Sequence, residues 1–267
     1  MGVDAGVVDS TGEPTIFVGN FSREMIGVYR HAGGGLFVDR AASSKIGYPS
    51  LSTLTFGLSL FDVDLDTDLD LLAANGHLQQ QVEEVQDGIA YREPPQLFLN
   101  KGAGTFEKAK SERKTPLAEP LVARGAAYGV YDCDGDQDVL IGENGGSVHL
   151  WRNEVREKGS STHHFLRVLL RGRASNRDAV GSRVVAVVGE KRMERRVRAG
   201  SSYLSVSEQA VTFGLANAEQ VDTLRVYWPS GKTSQFEGVE ADQSVRIVEG
   251  SGQLQRLVPT QKEIVER

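Results

Sequence analysis

The chain of 267 residues carries 36 Asp and Glu against 30 Lys and Arg, a net charge of −6, which argues against a nucleic-acid binder. Its 39% hydrophobic and 25% charged content is that of a soluble globular protein; no apolar stretch approaches a bilayer span, and 30 glycines suit a turn-rich β architecture. A single cysteine, Cys133, excludes an intramolecular disulfide framework and, with five histidines besides, makes a Cys/His zinc site a poor fit.

The first twenty residues have neither a basic stretch nor a continuous apolar run, and already contain Asp4, Asp9 and Glu13, so no signal peptide is expected there. Gly6 to Asn20 opens a unit that returns at Phe61 to Asn75 and at Val130 to Asn144. After each copy comes a strand-like segment with an aromatic residue: Val28-Tyr29-Arg30, Gln96 to Asn100, and Val148 to Asn153. Two of these run into glycine turns and another aromatic, Gly33 to Phe37 and Gly102 to Phe106. Short strands and glycine turns recurring at roughly 55 to 70 residues predict propeller blades, about three of them over residues 1–153. Propellers usually close with about four to eight blades, so the chain reads as the C-terminal part of something longer. Within this part, His77 to Pro95 is a polar insertion in which Gln79 to Gln86 suits a short helix.

Glu154 to Thr162 is polar and reads as a linker. Beyond it the alternation is that of strands: Leu166, Val168 and Leu170 share a face, as do Val184, Ala186 and Val188, and Leu224, Val226 and Trp228. Pro229 to Lys232 is a turn between two strands. Residues 163–249 therefore predict a small β-sandwich or barrel, with a flexible tail over 250–267.

The main functional signal lies in the repeats. Asp62, Asp64, Asp66, Asp68 and Asp70 alternate along one stretch, and Asp132, Asp134, Asp136 and Asp138 along another. Like charges so close repel one another in a compact turn, yet each run leads directly into an apolar strand, Leu71 to Ala74 or Val139 to Ile141. A hard cation with oxygen ligands resolves that conflict. Calcium suits an all-protein loop better than magnesium, which keeps several waters. An EF-hand is excluded, because its twelfth position needs a bidentate Glu and here holds Ala73 or Ile141. The competing explanation is a pair of solvated acidic turns that hold no ion.

The repeats resemble FG-GAP or VCBS-type repeats of integrin-like β-propellers. Ser175 to Arg183, Gly200 to Ser205, Phe213-Gly214-Leu215 and Val226 to Gly231 resemble the ASPIC/UnbV domain that follows such propellers in proteins similar to cartilage acidic protein. The resemblance implies loops with side-chain ligands at positions 1, 3, 5 and 9 and a carbonyl at 7. These fall on Asp62, Asp64, Asp66 and Asp70 with the carbonyl of Asp68, and on Asp132, Asp134 and Asp138 with the carbonyl of Asp136. The first loop has Val7, Thr11 and Thr15 at ligand positions, and is not expected to bind; the third has Val130 at position 1. The second has Thr67 where a sharp turn favours glycine.

Other candidates have plainer readings. His77 reads as a loop residue, His163 and His164 as a surface pair, and Cys133 as an exposed bystander thiol. Asn176-Arg177-Asp178 suits a turn, Gly200-Ser201-Ser202 a strand start, and the basic run Lys191 to Arg198 a solvated hairpin face. Asn20-Phe21-Ser22 is a lone glycosylation sequon. The expectation is a calcium-binding, non-catalytic recognition, adhesion or scaffolding module, extracellular or periplasmic, with a protein or glycan ligand, and self-association at its open edges. The alternatives are part of a secreted carbohydrate-active propeller enzyme with its catalytic residues elsewhere, and a truncated gene remnant.

Overall fold

A computed structural model describes residues 1–112, 115–156 and 162–258. The chain is all-β and builds five small sheets in a propeller-like arrangement, where the sequence leads one to expect about three blades and a separate β domain. The first sheet holds β1 (Val3–Gly6), β2 (Thr15–Val18), β3 (Gly27–His31) and β4 (Phe37–Asp39), and the second β5 (Thr55–Phe61), β6 (Asp70–Asn75), β7 (Gln96–Asn100) and β8 (Phe106–Lys108). The third has three strands, β9 (Ala123–Gly129), β10 (Asp138–Glu143) and β11 (Val148–Trp151). All three are antiparallel meanders in chain order, the long segment between β6 and β7 included. Each repeat maps onto one meander: the acidic segment turns from the first strand to the second, the apolar run is the second strand, and the aromatic segment is the third.

β5 and β6 are buried along their full length because their side chains alternate between two neighbouring sheets. Leu58, Leu60, Leu71 and Ala73 join Phe17 and Val28 of the first sheet, while Phe61, Leu72 and Ala74 join Ala126, Val139 and Ile141 of the third. The expected helix at Gln79 to Gln86 contracts to one turn, Val82–Val85, pinned by the buried Val82. Among the described residues no helix is long and apolar enough to cross a membrane.

The remaining strands are β12 (His164–Arg171), β13 (Arg183–Val188), β14 (Lys191–Arg196), β15 (Val211–Ala216), β16 (Gln220–Tyr227), β17 (Thr233–Glu240), β18 (Gln243–Val248) and β19 (Leu254–Leu257). They form two sheets, ordered β15-β12-β18-β19 and β14-β13-β16-β17, with β12 and β18 parallel. Both contribute to one core that includes Leu166, Val184, Phe213, Leu224, Trp228 and Ile247. Part of the expected flexible tail is strand: β19 pairs antiparallel with β18, and Leu254 packs on that core. Residues 157–161 of the expected linker and 259–267 of the expected tail lie outside the described residues.

Segment 200–208 crosses the first strands of the three N-terminal sheets. The Ser202 N–H donates to the Val3 carbonyl (3.1 Å), and its hydroxyl accepts from the Leu58 N–H (2.8 Å). Further along, the Ser207 hydroxyl accepts from the Tyr128 N–H (3.2 Å), and the Glu208 N–H donates to the Tyr128 carbonyl (2.9 Å). Tyr203 adds an edge-on contact with Phe56. Backbone groups of β1, β5 and β9, at Val3, Leu58 and Tyr128, thus find partners in the C-terminal part of the chain.

Candidate metal centre

β5 ends at Phe61 and β6 begins at Asp70, which is its register partner, so the acidic loop is a hairpin turn. Its short side chains capture backbone N–H groups a few residues on, the Asx-turn geometry. Asp64 accepts from the Asp66 N–H (3.3 Å) and Asp66 from the Asp68 N–H (2.9 Å). Asp62 takes the N–H groups of Asp66 and Thr67, each at 3.0 Å. At the exit, Asp70 accepts from Val63 (3.0 Å) and Asn100 (2.8 Å). Curling the turn this way requires positive φ at Leu65 (61°) and Thr67 (92°). One carboxylate oxygen each from Asp62, Asp64 and Asp70 then lies within 4.8 Å of the others, the one such acidic group among the described residues.

The third loop repeats the framework. Asp132 accepts from Asp134 (3.3 Å), Asp134 from Asp136 (3.2 Å), and Asp138 from Tyr131 (2.8 Å) and Asn153 (2.9 Å). Positive φ recurs at Cys133 (68°) and at Gly135 (103°), where glycine stands in the position of Thr67. Lacking the carboxylate of position 1, this loop turns Asp132 toward Arg152, 2.6 Å away. Asp134 Oδ2 and Asp136 Oδ1 are buried with no hydrogen-bond partner among the described residues. In the first loop, Asp9 accepts from the Thr11 N–H (2.9 Å), the Thr11 hydroxyl replaces a carboxylate, and Arg30 lies 3.7 Å from Asp9.

Burial and the neighbouring acids destabilise the charged form of these groups. Burial, then the charges of Asp66 and Asp64, push Asp62 up to about 8 against the pull of Arg195. Asp70 is raised to about 8 by burial and by Asp62 and Asp64. Burial with Asp134 raises Asp136 to about 7, and burial with Asp132 raises Asp134 to about 6. At about 8, Asp62 and Asp70 hold a proton at neutral pH unless a cation takes its place, since an opposite charge at short range reverses the shift.

Of the expected ligands, Asp62, Asp64 and Asp70 converge. The Asp66 carboxylate faces the Asp68 N–H, and the Asp68 carboxylate pairs with Lys191 Nζ (2.7 Å). That pairing belongs to a cover the sequence reading misses. Arg195 Nη2 lies 3.3 Å from the Thr67 carbonyl and 4.0 Å from Asp62 Oδ2, and the Ala216 N–H donates to the Leu65 carbonyl (2.9 Å). His163 Nδ1 is 2.8 Å from the Asp64 carbonyl, so His163 is anchored to the loop. Gly214 leaves room for this approach, because a Cβ there would run into the Asp62 carboxylate and the Leu65 backbone. The basic run is thus partly a counter-charge to the acidic loop. Unequal charge in two separate blocks was the available clue, but it does not say that the blocks meet.

A second missed feature has a repeat signature. Asn100, at the end of β7, donates to the Val8 carbonyl in the preceding blade's loop (3.0 Å), and Asn153, just past β11, donates to the Val63 carbonyl of its predecessor (2.7 Å). Elsewhere, His77 is fully buried, with Nδ1 accepting from the Gln79 N–H (3.1 Å) and Nε2 3.4 Å from the Ser22 hydroxyl. Cys133 is an exposed free thiol. Asn176 closes its turn by accepting from the Val180 N–H (2.9 Å).

Residues 172–254, from the turn before β13 to the start of β19, match a family model described as ASPIC and UnbV. No curated protein matches the chain.

Proposed function

We propose that this protein is a calcium-binding, non-catalytic recognition or scaffolding module acting outside the cytoplasm. In this reading residues 1–153 are blades of the FG-GAP or VCBS type, and residues 163–249 are an ASPIC/UnbV-like β domain that presents a surface to a protein or glycan ligand. The observation that carries it is the convergence of Asp62, Asp64 and Asp70 at one hairpin turn. The donor set suits a hard cation: it is all oxygen and acceptor-only when ionised. Backbone N–H groups hold the carboxylates of Asp62, Asp64 and Asp70 in place at the turn, which supports this reading. In the third loop the unpartnered oxygens of Asp134 and Asp136 are consistent with a second, weaker site. The ion would neutralise mutually repelling carboxylates and tie the turn between two strands.

Thermal melting with added calcium tests this. An ion that binds only the folded state at a hundred times its dissociation constant stabilises by about 2.7 kcal/mol, so the melting temperature is expected to rise with calcium and fall on chelation. Asp64→Asn is expected to remove most of the rise and Asp9→Asn to leave it intact. A folded protein whose melting temperature ignores calcium, with magnesium equally inert, would overturn the reading.

A further inference from the structure

The three repeats place equivalent side chains on equivalent faces of their sheets. Phe17, Leu72 and Leu140 each stand eight residues past the aligned Asp9, Asp64 and Asp132, and each pairs with an apolar residue of the next strand: Val28, Leu97 and Leu150. In the first sheet this pair is fully buried in the core shared with the second. In the second sheet Leu72 and Leu97 pack against the third. On the third sheet the same face meets no further sheet among the described residues. Leu140 and Leu150 are each 46% exposed there, and Val148, which shares their face because side chains alternate, is 67% exposed.

The opposite face carries the pairs Ile16–Tyr29, Leu71–Phe98 and Val139–Trp151. Leu71 and Phe98 are buried against the first sheet, and Val139 and Trp151 pack against the second. Ile16 and Tyr29 are half-exposed, as is Val18 on the same face, and Val3, the register partner of Val18, is 50% exposed. Within the chain the leading face of one sheet packs on the trailing face of the next, and one apolar face of each kind is left bare. Contiguous apolar surface of this sort marks an interaction site.

We propose that the bare face of the third sheet receives the bare face of the first sheet of a second copy of this chain. Leu140, Leu150 and Val148 of one copy then lie against Ile16, Tyr29 and Val18 of the other. The contact continues between molecules the packing that joins the first sheet to the second and the second to the third. It is heterologous: made twice between two copies it closes a dimer, and repeated in one sense it grows an open chain. The inference rests on how the sheets pack and stands without calcium at the acidic turn.

Light scattering behind size-exclusion chromatography, on the full chain in metal-depleted buffer, reads the mass. A mass of two chains or more is expected, and a single-chain mass even at about 0.1 mM overturns the proposal. Leu140→Lys on the third sheet and Ile16→Lys on the first are each expected to weaken association at least about tenfold, because each puts a charge into every contact. The two variants mixed in equal amounts are expected to form a one-to-one complex. The Leu140 variant keeps an intact first sheet and the Ile16 variant an intact third, so one contact survives. No complex in that mixture overturns the proposal, as does an association that either variant alone leaves unchanged. Melting checks that each variant is folded; Leu150→Lys stands in for Leu140→Lys, and Tyr29→Lys for Ile16→Lys, should the first choice fail to fold.

Discussion

Glu249, just past β18, shows how this fold treats a buried carboxylate when it supplies enough donors. The side chain accepts from the N–H groups of Arg173 (2.8 Å), Ala174 (2.8 Å) and Ser175 (2.7 Å), and from the Ser230 hydroxyl. Against a desolvation that would raise it, the Ser175 N–H, the Ser230 hydroxyl and the other donors bring its pKa down to about 2 from 4.5. A depressed folded pKa means stability that is present above about 4.5 and lost as the pH falls through about 2. Glu249→Gln is therefore expected to melt below the wild type at neutral pH, and the gap to close across that acid window in a series of melts. Asp62 is the opposite case: it receives two N–H groups but is fully buried beside other acids, and its pKa rises to about 8. Thr67 beside it holds φ at 92°, a conformation glycine adopts freely. Thr67→Gly is expected to stabilise by about 1 kcal/mol, after the entropic cost of glycine in the unfolded chain, read as a shift of the urea midpoint at unchanged slope.

The hairpin loops are joined to their neighbours by the repeated asparagines. Asn100 is buried and satisfies the carbonyls of Val8 (3.0 Å) and Leu69 (3.2 Å) while accepting from the Gly102 N–H (3.0 Å). Asn153 makes the corresponding link to Val63 from a half-buried position. Removing a buried amide leaves carbonyls unpaired in a dry environment, whereas a half-buried site admits water. Asn100→Ala is expected to cost about 2–3 kcal/mol and Asn153→Ala about 1 kcal/mol by chemical denaturation. Equal losses would show that the difference in burial does not set the cost of removing the link. The first sheet has His31 in place of this asparagine, opposite Phe37 as Asn100 is opposite Phe106. That substitution accompanies the loss of acidic ligands in the first loop.

Across the molecule, the C-terminal part acts as a cover for the N-terminal sheets. Segment 200–208 pairs with β1, β5 and β9, Arg198 pairs with the buried Asp4, and Arg195 and Lys191 reach the acidic loop. Without that cover, inner strand edges and the carboxylates of the turn would both be exposed. Residues 1–153 expressed alone are expected to self-associate in size-exclusion chromatography and to lose cooperative melting, while the full chain elutes as a smaller species. A well-behaved monomer from residues 1–153 would show that the cover is dispensable. The third sheet, with three strands where the other four have four, leaves the paired residues Leu140 and Leu150 each 46% exposed.

The amino-acid order alone determined the strands of the repeats and the place of each acidic turn; which of the five aspartates of the second loop converge, Asp62, Asp64 and Asp70, is a matter of the folded turn. Strands and turns are local matters: period-two alternation picks the strand faces, and a short carboxylate beside a backbone N–H two residues on shapes the turn. The C-terminal motif blocks were legible for the same reason, and residues 172–254 match the family model there. Only the tertiary structure decided that the sheets number five, that part of the presumed tail is a strand, and that Arg195, Lys191 and His163 close over the acidic turn. Those partners lie about a hundred residues or more from the groups they meet, and no local pattern of charge or hydrophobicity encodes which distant surfaces come together. Packing makes that choice, down to the missing side chain of Gly214 that lets the turn approach.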